Sequence, residues 1–153
     1  MHIIQNGICD SAIVFTELLN TNWQKWTNIF DFKYCKILKK PPPLGPMDIA
    51  FIEGAIASQI QAEKLKTIRS LTKTLVAVGA CAVTGLPAAQ RNQFDTQKLE
   101  QIQPVLKNFN YSSKVQKPSD LVTVDHSIPG CPMNEAKFLD FINKFTGSFH
   151  ASD

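Results

Sequence analysis

Four cysteines carry the reactive chemistry of this chain: Cys9, Cys35, Cys81 and Cys131. Thiolates serve as metal ligands, as cluster ligands or as nucleophiles, and an even number in a secreted chain suggests disulfides. None of the four lies in a CxxC pair, so spacing alone is a weak metal signal. Their neighbours say more. Cys81 stands in Gly79-Ala80-Cys81-Ala82 and Cys131 in Ile128-Pro129-Gly130-Cys131-Pro132. Small residues there give backbone amides access to sulfur. The prolines flanking Gly130-Cys131 restrict that segment.

The elements that must position these residues read from hydrophobic pattern. Ile3-Ile4 makes a ragged first strand, followed by a helix over 11–26 in which Ile13, Phe15, Leu18, Leu19 and Trp26 recur at helical spacing. A second strand is expected over Ile29 to Leu38, then a proline-rich loop from Lys40 to Pro46. Asp48 to Ile52 reads as a buried strand. Residues 59–71 read as a helix with Ile60, Leu65, Ile68 and Leu71 inward. Thr74 to Val78 is a further strand, 86–106 hold one or two helices with a break near 92–95, and Leu121 to Asp125 is the last strand. Asn134 caps a final helix with Glu135 in its first turn, running through Phe145.

Strands alternating with helices imply crossover units, and continuous apolar strands suit a sheet covered on both faces. The expected fold is a single α/β domain over 1–153, a flavodoxin-like three-layer sandwich with a mainly parallel sheet of about five strands. In such a sheet the loops after the strands gather at one edge. Cys9, Cys81 and Cys131 each follow a strand, so residues over a hundred positions apart converge. Iron–sulfur clusters are held by thiolates, usually about four. Against this stands ordinary packing, since free cysteine is often a small buried hydrophobe. Three cysteines at one edge favour the cluster. Zinc uses the same ligands but prefers close pairs. Cys35, inside the second strand, reads as packing. His126 reads as a polar loop residue, and Trp23 and Trp26 as core ahead of a partner surface.

Composition excludes several classes. Apolar residues are 44% and charged residues 19%, a globular balance and not a disordered one. The formal charge of +3, without a basic stripe, argues against nucleic acid; Lys36, Lys39 and Lys40 read as a solvated loop edge. No apolar stretch approaches the roughly 20 residues of a membrane span, and the N-terminus does not read as a secretory signal. The expectation is a cytoplasmic protein. No GxGxxG or GxxxxGK[ST] phosphate loop is present, which weighs against a nucleotide or flavin protein.

Three segments resemble a known family. Asp48-Ile49-Ala50-Phe51-Ile52-Glu53-Gly54-Ala55-Ile56 is similar to the strand-to-glycine segment of nickel–iron hydrogenase small subunits. Val78-Gly79-Ala80-Cys81-Ala82-Val83-Thr84-Gly85 resembles their third cysteine motif, and Val124 through Pro132 their fourth. The same superfamily includes the 20 kDa subunit of NADH:quinone oxidoreductase.

The resemblance implies a proximal [4Fe–4S] cluster held by Cys9, Cys81 and Cys131. It implies an electron-transfer subunit of the soluble, sulfhydrogenase delta-like type, without catalytic activity alone. Its expected partners are a hydrogenase-type large subunit and a diaphorase or ferredoxin-like subunit. Where the family has CxxC, this chain has Asn6-Gly7-Ile8-Cys9-Asp10-Ser11-Ala12. Asp10, Ser11 or a partner residue are the candidate fourth ligands, with a [3Fe–4S] cluster or no cluster as alternatives. A cluster-deficient interaction or assembly module is therefore the competing function. Family analogy gives Glu53 a role in proton movement, against a carboxylate satisfied by backbone amides. Asp125 is expected to orient the Cys131 loop.

Overall fold

The computed structural model describes residues 2–6, 10–35 and 43–150, with side chains for 11–32 and 43–147. Cys9, the lysines at 36, 39 and 40, the first part of the proline-rich loop and the expected strand end at 36–38 lie outside the described residues. The backbones of Asp10 and Cys35 are described and their side chains are not.

Five parallel strands form one sheet in the order β2-β1-β3-β4-β5. They are β1 (His2–Asn6), β2 (Asp31–Cys35), β3 (Met47–Glu53), β4 (Thr72–Val78) and β5 (His126–Ile128). This is the order of flavodoxin-like folds, in which the chain reverses its direction of winding between β1 and β3. Helices α1 (Asp10–Ile29), α2 (Gln59–Leu71), α3 (Ala80–Thr84), α4 (Thr96–Asn108) and α5 (Glu135–His150) fill the crossovers and the C-terminal segment.

Alternation along the central strands builds two cores. Ile49 and Phe51 of β3, with Val76 and Val78 of β4, face Phe15, Leu19 and Trp26 of α1 and Phe138 and Ile142 of α5. Ala50, Ile52 and Leu75 face Ala62, Leu65 and Ile68 of α2 on the other side. Phe138 anchors the first core, with its ring 5.9 Å from Phe15, 6.3 Å from Trp26 and 5.1 Å from Phe51. Trp26 is buried as expected, whereas Trp23, expected in the core, is exposed and stacks on Phe32 at 6.1 Å.

Caps set the helix ends. Ser58 Oγ accepts the Gln61 amide at 3.3 Å, Asp95 accepts that of Lys98 at 2.9 Å, and Asn134 accepts that of Lys137 at 2.9 Å. The break expected near 92–95 separates a 3-10 turn, Ala88–Gln93, from α4.

Four further expectations need correction. The last strand is His126–Ile128, not Leu121 to Asp125. Leu121, Val122 and Val124 instead pack half-buried against the α2 core, and the chain joins β4 only from Asp125, whose backbone N donates to Leu75 O at 2.9 Å. His126 accordingly begins a strand, its ring 5.1 Å from Phe141. Ile60 faces solvent, because the buried stripe of α2 runs through Ala62, Leu65 and Ile68 at a spacing that leaves residue 60 off the face. Cys81 stands on the short helix α3 and not in an open loop. The punctuation was present in the sequence: Gly85 is left-handed at the helix end, with its amide on Cys81 O at 3.0 Å.

Candidate functional site

The carboxyl ends of the strands enclose a cavity of about 210 Å³. Ser11 enters from the first turn of α1 and Gly54 from the residue after β3. Val78, Gly79, Ala80 and Cys81 come from the end of β4 and the start of α3, Pro87 from the segment beyond, and Gly130 and Cys131 from the loop after β5. Two of the three sequence-identified ligand cysteines thus share one cavity. Cys81 is partly buried and Cys131 exposed, and both are free thiols.

Backbone geometry explains the glycines. Gly79 has φ +84, and a Cβ there would lie 2.7 Å from Ser11 Oγ. Gly130 has φ +125, and its Cβ would lie 2.5 Å from Pro132 O and 2.7 Å from Asn134 N. Both positions combine a left-handed backbone with contact too close for a side chain. The resulting approach has a direct use. Gly79 N donates to Ile128 O at 2.8 Å, and Ala80 N donates to Gly130 O at 2.7 Å. These two amides lock the Cys131 loop to the β4–α3 turn, so they serve the scaffold and not sulfur, as the composition of the motif had suggested.

The remaining candidates fall as follows. Ser11 lines the cavity, is 2% exposed, and its Oγ accepts the Met133 amide at 3.1 Å. Glu53 is buried at the end of β3, one residue before the cavity-lining Gly54. Asp125 does not reach the Cys131 loop. It lies at the opposite end of β5, where Oδ2 accepts Leu75 N at 2.7 Å and Arg69 Nη1 at 2.8 Å. It pins the entry of β5 onto β4 and the C-terminal turn of α2, a role invisible without knowing that residues 75 and 125 are neighbours. Likewise Asn92 donates to Val115 O and accepts Val115 N, both at 2.8 Å, holding the 3-10 turn that follows Pro87.

Among the described residues, no three His, Cys, Asp or Glu side chains converge as a metal site. Among the described residues, the donor set of the edge is two thiols in a cavity otherwise lined by glycine, alanine, valine, proline and one hydroxyl. That chemistry fits two of the sulfur ligands of an iron–sulfur cluster, with no carboxylate among the described lining residues. Among the described residues, no helix is long and apolar enough to cross a membrane.

Comparison with known proteins agrees with this geometry. The family model described as the 20 kDa subunit of NADH ubiquinone oxidoreductase matches residues 9–145. The delta subunit of the NAD-reducing hydrogenase HoxS of Cupriavidus necator is 30% identical over 100 residues, covering 55% of this chain and 48% of the relative. The gamma subunit of coenzyme F420 hydrogenase of Methanosarcina barkeri is 30% identical over 106 residues, covering 67% of this chain and 36% of the relative. A crystal structure of an NAD+-reducing [NiFe]-hydrogenase in the H2-reduced state superposes with a TM-score of 0.80 at 25% identity, over 96% of this chain and 89% of that one. The matches span about half or less of the two curated relatives.

Proposed function

We infer the role of this chain from its family: it belongs to that of the 20 kDa subunit of NADH:ubiquinone oxidoreductase, with the subunits of nickel–iron-type hydrogenases among its relatives. Its proposed function is to carry a proximal iron–sulfur cluster as the electron-transfer subunit of a hydrogenase-type oxidoreductase. The observation that carries this reading is the convergence of Cys81 and Cys131 on one cavity at the carboxyl edge of the sheet. Cys81 and Cys131 supply two ligands. Cys9, which lies between β1 and α1 in the sequence, is the proposed third, and Asp10 or a partner residue is the candidate for the fourth. The bound group would supply one-electron redox chemistry.

The chain's own contribution is placement. The α3 turn and the β5 loop bring their thiols to one cavity, which buried Val78 also lines and where Cys131 is open to solvent. Buried Glu53, next to the same cavity, is the proposed residue for proton movement along this edge. A large subunit of the hydrogenase type and a diaphorase or ferredoxin-like subunit are the proposed partners, and the cytoplasm the proposed compartment. The chain is proposed to act as one domain with no turnover of its own.

Anaerobic production of the full chain followed by iron and sulfide counting and electron paramagnetic resonance tests the proposal. Iron and sulfide in the wild type, reduced at least several-fold in Cys81→Ser and Cys131→Ser, are expected. A protein that takes up neither under reconstitution sinks the cluster. That outcome would favour the second reading, an interaction or assembly module, which draws support from the single cysteine in the segment Asn6 to Ala12. In that case Cys81→Ser and Cys131→Ser leave complex formation intact.

A further inference from the structure

We propose that Ser11 is a positioning residue that ties the Cys131 loop to α1 while α3 holds its other foot, so fixing Cys131 relative to Cys81, and that it is not a ligand. This rests on the reading of the edge as a thiolate site. Cys131 and Pro132 form a two-residue arch between Gly130 and Met133, which pair with each other across it. Each foot of the arch is tied to a different element. Gly130 O receives Ala80 N at 2.7 Å, from the first residue of α3. Met133 N donates to Ser11 Oγ at 3.1 Å, in the first turn of α1. Beyond the arch, Asn134 N donates to Pro129 O at 3.0 Å.

The space for the serine is made on purpose by the neighbouring backbone. A Cβ at residue 79 would approach Ser11 Oγ to 2.7 Å and Ser11 Cβ to 3.6 Å. Ser11 is also one of four polar or charged residues among the described ones that are buried. A buried backbone amide that loses its acceptor keeps its full desolvation cost, so removing the hydroxyl frees one foot of the arch. The thiol at its apex then loses its fixed position relative to Cys81. A ligand role would instead require the oxygen to serve a metal while the Met133 amide competes for it.

The test uses the full-length, reduced, cluster-free chain and phenylarsine oxide. The arsenical condenses with two neighbouring thiols, forming two As–S bonds and releasing its oxygen, with the two thiol protons, as water. Mass spectrometry maps the bridge. The wild type is expected to bridge Cys81 to Cys131. Ser11→Ala is expected to bind about five-fold more weakly, the factor one hydrogen bond is worth, with its thermal transition still cooperative. A wild type that fails to bridge these two cysteines overturns the proposal, as does Ser11→Ala binding as tightly as the wild type.

Should Ser11→Ala not fold, amide exchange in the wild type decides: Met133 must be protected, and rapid exchange there refutes the clamp. Iron content separates clamp from ligand. Equal losses in Ser11→Ala and Ser11→Cys support the clamp, whereas iron retained by Ser11→Cys above Ser11→Ala overturns it. A wild type that takes up no iron counts against the electron-transfer reading alone, because the arsenical and exchange measurements do not involve a cluster.

Discussion

At the scale of single residues, the site depends on positions without functional groups as much as on thiols. Gly130→Ala would force a Cβ to within 2.5 Å of Pro132 O from a backbone at φ +125. The expected cost is roughly 1–3 kcal/mol for the conformation alone, read as a lower urea midpoint, and the Cys131 arch cannot keep its form. Asp125→Ala acts elsewhere. It removes the acceptor of Leu75 N and the partner of Arg69, whose side chain and that of Asp125 are 27% and 31% exposed. Leaving the Leu75 amide without its side-chain acceptor is expected to cost about 1–3 kcal/mol, while the thiols of the opposite edge keep their reactivity. An Asp125→Ala protein with altered Cys81 and Cys131 reactivity but unchanged stability would contradict this division. The convergence of Cys81 and Cys131 on one edge was legible because Cys81 directly follows the apolar strand β4 and Cys131 follows an apolar run, 121–124, that lies just ahead of the true strand His126–Ile128. Ser11 stood out in the sequence as a candidate fourth ligand. Its bond to Met133, 122 positions away, was not legible, because nothing local marks it.

At the scale of elements, legibility followed periodicity. Helix α2 reads over 59–71 because Leu65 and Ile68 repeat at helical spacing behind the Ser58 cap. Strands β3 and β4 read because their apolar runs are buried on both faces. The apolar run at 121–124 misleads for the converse reason: it is buried on one core without joining the ladder. Helix α3 escapes pattern reading because its five residues are too few to show a period. The 3-10 turn Ala88–Gln93 is tied to the segment 112–115 by Asn92, paired twice with Val115, and by Arg91, whose Nη2 donates to Ser112 O at 2.7 Å. Asn92→Ala is expected to lose about 1–3 kcal/mol and to raise amide exchange in 88–94 and 112–116 first. Uniform exchange changes across the chain would mean that this turn is not held by Asn92.

At the scale of the whole molecule, the two cores share the sheet between them. Phe138→Ala empties the α1–α5 core, at an expected cost of about 3–5 kcal/mol. Ile68→Ala empties the α2 core, at about 2–5 kcal/mol. Because β3 and β4 contribute side chains to both, each change is expected to shift one common thermal transition. Two separate transitions in either variant would show that the faces unfold independently. The parallel, doubly wound architecture was readable from the alternation of elements. The strand order β2-β1-β3-β4-β5 is the one the flavodoxin-like expectation carries, with its winding reversal between β1 and β3.

The Ser11–Met133 bond also has a temporal meaning. It closes a loop of 122 residues, among the least local contacts a chain of this length can make. Loop closure of that span is entropically late, rewarded only after nearer contacts have formed. During synthesis, Cys81 leaves the ribosome fifty residues before Cys131 and its arch. A growing chain therefore displays one of the two thiols for a long interval without the pocket that joins them. The cavity becomes complete only when the first helix meets the beginning of the last.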